Sequence, residues 1–176
     1  NQKMTRLYTI PLFGLKEGDY TFDFRIGNDF FDCFEESEIK EGSLTAIAVI
    51  VRSPSCIFLT IKISGNVLIS CDRCLDMYMQ KIECENHLII KSGNMPDDSD
   101  PDILIVPFGE NELDLSQLFY EYIHLALPLR RIHPDKIDGK SGCNPEMIKE
   151  LNRHTTTENM YEKTNWNELN KLLNNN

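Results

Sequence analysis

Ile57-Phe58-Leu59-Thr60-Ile61-Lys62-Ile63-Ser64-Gly65-Asn66-Val67-Leu68-Ile69-Ser70-Cys71-Asp72-Arg73-Cys74 is the stretch whose reading decides the fold. Ile57, Leu59, Ile61, Ile63, Val67, Ile69 and Cys71 share one parity, and Gly65 is the only gap among them. Alternate side chains of a strand point to opposite faces, so this parity describes one buried face along a long strand. Phe58, Thr60, Lys62, Ser64, Asn66 and Ser70 take the other, mostly wet face. The parity resumes unchanged after Gly65, which predicts a bend or bulge rather than a break. Past the turn, Leu75, Met77 and Met79 begin a second alternation, whose phase slips near Gln80–Lys81 before Ile82 and Cys84 continue it. The expectation is a long bent hairpin with two thiols at its tip.

Upstream, residues 5–15 and Asp19–Ile26 alternate around Gly14 and Gly18 as a meander would. Phe30, Phe31 and Phe34 lie among five acids, with Asn28 placed to cap a short helix that forms a lid on the sheet edge. Leu44–Val51 is apolar at both parities, which suits a strand covered on both faces. Downstream, Gly93 to Asp102 carries two prolines and four acids and reads as a loop, followed by a strand at Ile103–Phe108. Asp114 and Gln117 form a capping-box pattern ahead of the main helix. Its apolar stripe is Leu115, Leu118, Phe119, Tyr122, Ala126 and Leu129, and Pro128 ends it. Asn144-Pro145 opens a short helix through Leu151, and another begins at Asn165 with Trp166, Leu169, Leu172 and Leu173 on one side. Strands first and helices last argue α+β. The architecture predicted is a bent antiparallel sheet or partly closed barrel around the long central hairpin, with one main amphipathic helix and short C-terminal helices. Residues 1–153 read as a single domain, and 154–176 as a polar linker with a short helix or tail.

Of 176 residues, 28 are acidic and 18 are Lys or Arg, for a net charge of −10. Proteins that clamp nucleic acid by themselves usually carry a basic face, whereas this average field repels phosphate and attracts basic proteins. A local basic patch stays compatible with it. No apolar run approaches the roughly 20 residues of a membrane span, so no membrane role is expected. The first residues lack a secretory pattern, which predicts a cytoplasmic protein. Six cysteines are too sparse for a disulfide scaffold. Cys33, Cys56 and Cys84 read as small core residues.

Cys71 and Cys74 differ, because a Cys-x-x-Cys turn aims both sulfurs at one point. Such a pair binds zinc when two further sulfur or nitrogen ligands complete a tetrahedron. His133 and Cys143, around a glycine-containing loop, are the candidates, with Cys84 and His87 as competitors. If metal is present, the set is Cys71, Cys74, His133 and Cys143, for one structural zinc, although the residues alone favour the free-thiol reading. The alternative is two free thiols packing a turn. A thiol-dependent enzyme using the Cys71/Cys74 turn is a further reading, but both flanks read as strand, whereas an activated thiol sits at a helix N-terminus. No triad or glycine-rich phosphate loop appears, and His124 reads as a structural histidine. No catalysis and no small-molecule substrate are expected.

Cys71-Asp72-Arg73-Cys74-Leu75 at the end of an apolar strand resembles the C-x-R-C-L signature of the YceD family, the large ribosomal RNA subunit accumulation proteins. An acidic loop follows, and then Asp114-Leu115 through Glu121 to Leu125-Ala126-Leu127-Pro128, in the family's order and spacing. The likeness covers roughly residues 40–152. Many members end in a Gly-Leu-Cys-x-x-Cys-Gly stretch. Here Ser141-Gly142-Cys143-Asn144-Pro145-Glu146 keeps one cysteine and has Glu146 in place of the other, while His133 stands in for an upstream cysteine. From Thr155 onward the chain looks like a lineage-specific addition. The resemblance implies a non-enzymatic factor for accumulation or maturation of large-subunit (23S) ribosomal RNA. Its implied partner is a large-subunit precursor or a basic ribosomal protein, with RNA contacted indirectly. The working face would be Arg73, Arg130, Arg131 and His133 near the hairpin tip, since a guanidinium fork suits phosphate or carboxylate.

Overall fold

The computed structural model describes residues 5–12, 14–93, 100–136 and 139–154. The proposed helix from Asn165, most of the tail and residues 94–99 of the acidic loop lie outside them. The chain divides into two compact units, one of Asn1–Ile69 with Met79–Leu129, the other of Ser70–Tyr78 with Arg130–Asn176.

The first unit is built on a sheet. Its strands run β1 (Thr9–Pro11), β2 (Gly18–Ile26), β3 (Glu41–Arg52), β4 (Ile57–Ser70), β5 (Met77–Ser92), β6 (Ile103–Val106) and β7 (Glu112–Asp114), with the last residue of β4 and the first two of β5 belonging to the second unit. Strands β2 to β6 form one sheet in sequence order, while β1 pairs with β7 in a separate two-stranded sheet. The fold is α+β, and among the described residues no closed barrel forms. The β2–β3 and β3–β4 pairs are antiparallel, whereas β6 runs parallel to β5. The expected meander between residues 5–15 and β2 is absent, because β1 finds its partner a hundred residues later, Thr9 opposite Asp114.

The parity read along β4 holds: Ile57, Leu59, Ile61, Ile63, Val67 and Ile69 are all buried. Gly65 makes no bulge, since the β3–β4 register runs unbroken from Arg52↔Ile57 to Glu41↔Leu68. It marks a close approach instead. A Cβ there would strike the Ser43 carbonyl oxygen and come within 2.6 Å of Leu44 Cα, and its φ of +151° disfavours a side chain. In β5 the predicted phase was wrong. Tyr78, Ile82, Leu88 and Ile90 face inward while Met77 and Met79 lie exposed on the opposite face, so no slip is needed. Strand β3 buries Leu44, Ala46, Ala48 and Ile50, but its other face is only partly shielded and Val51 is exposed, so it is not doubly covered.

Helix α1 (Asn28–Phe31) is a single turn that buries Phe30 and Phe31. Asn28 accepts from the Gly42 N–H rather than capping the helix. The Tyr8 ring meets Phe30 at 5.1 Å and Phe119 at 6.1 Å, and Phe24 meets Phe119 at 5.4 Å, an edge-rich aromatic cluster of the kind ring quadrupoles favour. Helix α2 (Ser116–Leu125) contributes Phe119 and Ile123 to the core. It starts after Asp114, whose carboxylate accepts from the Ser116 N–H and hydroxyl, and Gln117 bonds Glu121 instead of closing a capping box. It ends at Leu125, so Leu129 projects into solvent rather than joining the stripe. Cys33 is exposed, on the solvent side of the turn after α1, and is not a core residue.

Candidate metal centre

The second unit holds every predicted metal ligand. Its first segment is the connection between β4 and β5. Cys71 N–H donates to the Asp76 carbonyl (3.0 Å) and Leu75 N–H to the Cys71 carbonyl (2.9 Å), closing a tight double turn. Leu75 closes it with φ of +63°, a left-handed conformation that costs a leucine about 1 kcal/mol. The Arg73 N–H points back at Cys71 Sγ, 3.5 Å away. The spacing of two residues thus folds so that both sulfurs lie on the inner side of one loop, and both cysteines are buried.

The second segment is residues 130–143. Asp72 N–H donates to the Arg131 carbonyl at 2.7 Å, and Arg131 N–H returns a bond to the Asp72 carboxylate at 2.8 Å. This reciprocal clamp delivers His133, whose ring packs on Tyr78 with centroids 4.9 Å apart. Gly142 lets the chain come back. A Cβ there would strike the Pro134 carbonyl oxygen and lie 3.0 Å from His133 Cβ. Cys143 follows, held by Ser141 Oγ accepting its N–H. Asn144 then caps the helix α3 (residues 145–154) by accepting the Glu146 N–H at 3.0 Å, with Pro145 at its first position as the sequence predicts.

Four donor atoms result, one each from Cys71, Cys74, His133 and Cys143, all within 4.8 Å of one another. Cys71 Sγ lies 3.9 Å from Cys143 Sγ, and Cys74 Sγ lies 3.4 Å from His133 Nδ1. A tetrahedral zinc with ordinary bond lengths sets S···S at about 3.8 Å and S···N at about 3.6 Å. The donors stand where a metal ion would need them. Three cysteines and one imidazole are also the donor chemistry of a closed zinc site. Coordination through Nδ1 requires the His133 proton on Nε2. The competitors Cys84 and His87 are not in the cluster. Cys84 Sγ faces the Tyr122 carbonyl, and His87 Nδ1 meets Thr60 Oγ1 at 3.0 Å.

Burial pushes the Cys71 thiol up, but N–H donors from Cys74, Arg73 and His133, joined by the His133 ring, outweigh it and lower the thiol to about 6. The same environment raises Cys74, first through burial and then through the neighbouring Cys71 charge. The two thiols are thus pushed in opposite directions, as expected of crowded sulfurs of which one ionises before the other. Burial also raises the Tyr78 hydroxyl, and Cys71 and Asp72 raise it further.

Of the predicted contact residues, Arg73 is half-buried between the two cysteines, and among the described residues its guanidinium has no acidic partner within ion-pair distance. Arg130 is exposed and Arg131 half-buried. His133 turns Nδ1 toward Cys74 and belongs with the cluster. Asp72 and Gly142 were missed by sequence reasoning, because a backbone clamp and a missing Cβ leave no pattern of residue types. In the first unit, His124 donates from Nδ1 to the Tyr120 carbonyl, as a structural histidine would, while its buried Nε2 has no partner among the described residues.

No helix among the described residues is long and apolar enough to cross a membrane. No curated protein and no solved structure matches the chain. The family described as Large ribosomal RNA subunit accumulation protein YceD matches residues 59–173, which takes in all four cluster residues and also the C-terminal stretch set apart above as an addition. With that match spanning well over half its length, the chain belongs to the YceD family.

Proposed function

We propose that the protein is a non-enzymatic ribosome-biogenesis factor, cytoplasmic, that supports accumulation and maturation of large-subunit ribosomal RNA. It acts at a pre-ribosomal particle, through a basic ribosomal protein. The family match supports the process. The single structural observation that carries the non-enzymatic reading is the closure of the cluster: its four donors face one another, and its three sulfurs are buried. A catalytic zinc needs an open coordination position, and a catalytic thiol needs access to substrate. Neither is offered by three buried cysteines pointing inward, which argues against the thiol-enzyme alternative. The cluster is instead a structural zinc site that binds the Arg130–Cys143 segment to the Cys71–Cys74 turn. Arg73, Arg130 and Arg131 then form the contact surface, suited to phosphate or carboxylate groups of the particle.

The paired variant Arg73→Glu, Arg130→Glu tests this. The expected result is an unchanged fold with co-sedimentation on large-subunit precursors lost; undiminished co-sedimentation would count against the surface. Metal analysis of the purified chain is expected to give one zinc per molecule, abolished in Cys71→Ser with Cys143→Ser.

A further inference from the structure

The first unit has a cavity of about 400 Å³ at the end of the sheet where β3 turns into β4 and where β5 and β6 finish. Its floor is aliphatic, formed by Leu12, Ile57, Ile90 and Val106, all buried. Phe108 stands on its rim with 66% of its surface exposed. Two cations line it, Arg52 and Lys91. Arg52 is partly buried and fixed by a 3.2 Å bond from Nη1 to the Leu12 carbonyl, which spends one of its donors and orients the rest. Among the described residues neither cation has a carboxylate within ion-pair distance, although Glu110 lines the same cavity. Among the described residues, two cations without acidic partners thus line one hollow in a chain whose net charge is −10.

We infer that this cavity is a nucleotide-binding pocket, with the base seated between Phe108 and the aliphatic floor and the phosphate taken by Arg52 and Lys91. An aromatic ring beside an apolar surface stacks a base without regard to its identity, and an arginine fork with a lysine holds the phosphate. The volume lies within the range that holds small ligands. The hydroxyls of Ser53, Ser55 and Ser92 supply donors and acceptors around the rim. The net charge opposes a long clamp on a nucleic-acid backbone, but one nucleotide needs only the two local cations. Nucleotide chemistry has two sources, an unpaired residue in an RNA strand or a free mononucleotide. The family's link to ribosomal RNA favours the strand, and in that choice alone the inference rests on the function proposed above.

Direct binding to the full chain at low salt tests it, with a fluorescent single-stranded octaribonucleotide, with UMP and AMP, and with inorganic phosphate as separate probes. The expected result is saturable octanucleotide binding that Phe108→Ala and Lys91→Glu each weaken about tenfold or more, with folding checked by circular dichroism. Both side chains are exposed, so these variants keep the core. Tighter binding of the octanucleotide than of the mononucleotides assigns the strand; equal binding assigns the free nucleotide. Binding indifferent to both variants, full competition by phosphate alone, or no binding of any nucleotide overturns the pocket. Retained co-sedimentation of the Phe108 and Lys91 variants together with lost co-sedimentation of the Arg73, Arg130 pair would overturn the choice of the strand while leaving the biogenesis reading standing.

Discussion

Gly142 is the residue at which the metal centre is most easily broken without touching a ligand. Its missing Cβ makes room for Pro134 and His133, so Gly142→Ala must push that segment away from Cys143. Overpacking of this kind costs about 1–3 kcal/mol. The expected outcome is a zinc affinity lower by about tenfold or more, measured by competition with a chromophoric chelator; unchanged affinity would show that the close approach is dispensable. Cys71 carries a second expectation, for the metal-free protein. Its thiol is lowered to about 6, so the folded state favours the thiolate, and the stability it lends is full above the ordinary thiol value and lost as pH falls through 6. Cys74 is raised, so stability drops again once its unfolded thiol ionises. Urea midpoints of metal-free protein are expected to climb from pH 6 toward 8 and decline above 9; a flat profile would contradict the asymmetry between the two sulfurs. At this scale the gathering of Cys71, Cys74, His133 and Cys143 into one cluster was legible, because cysteine and histidine have few other reasons to cluster. Asp72 was not: its role lies in a carboxylate and an N–H that meet Arg131, and nothing in the spacing of residues 72 and 131 announces it.

The β3–β4 pair is the element that tests the reading of the fold. Gly65 sits against Ser43 and Leu44 with a φ closed to side chains, so Gly65→Ala is expected to cost the first unit about 2–4 kcal/mol. A lowered urea midpoint with an unchanged slope is the signature to look for. If the variant is as stable as the parent, the register across Gly65 is not as tight as drawn. The parity of β4 was readable because one face is buried and the other is polar. In β5 the same rule failed, since Met77 and Met79 are apolar residues on a wet face and Tyr78 turns inward. The pairing of β1 with β7 was out of reach for a different reason: it joins residues far apart, and three-residue strands carry no periodicity. Helix α2 was found but its end was placed too late, because Leu129 continues the spacing without being covered.

For the whole molecule, the division into two units predicts that metal removal acts unevenly. The sheet of the first unit has its own apolar core, whereas the described residues of the second unit include one short helix and few buried side chains besides the Cys/His cluster. Structural zinc contributes directly to folding in such settings. After chelation, hydrogen exchange is expected to accelerate over residues 70–78 and 130–154 while β2, β3 and most of β4 keep their protection. Uniform loss of protection would mean that zinc stabilises the chain as one cooperative block.

The distance along the chain between the ligands has a consequence for how the protein is made. At about 5–20 residues per second, a ribosome needs roughly 3–14 s to go from the second cysteine ligand to the last. On the zinc reading, an ion captured during that interval is held by Cys71 and Cys74 but not yet enclosed by the other two donors. On the zinc reading proposed above, the ion is locked only once Cys143 has been made, and a nascent chain stalled before it is expected to give up its ion readily to a chelator.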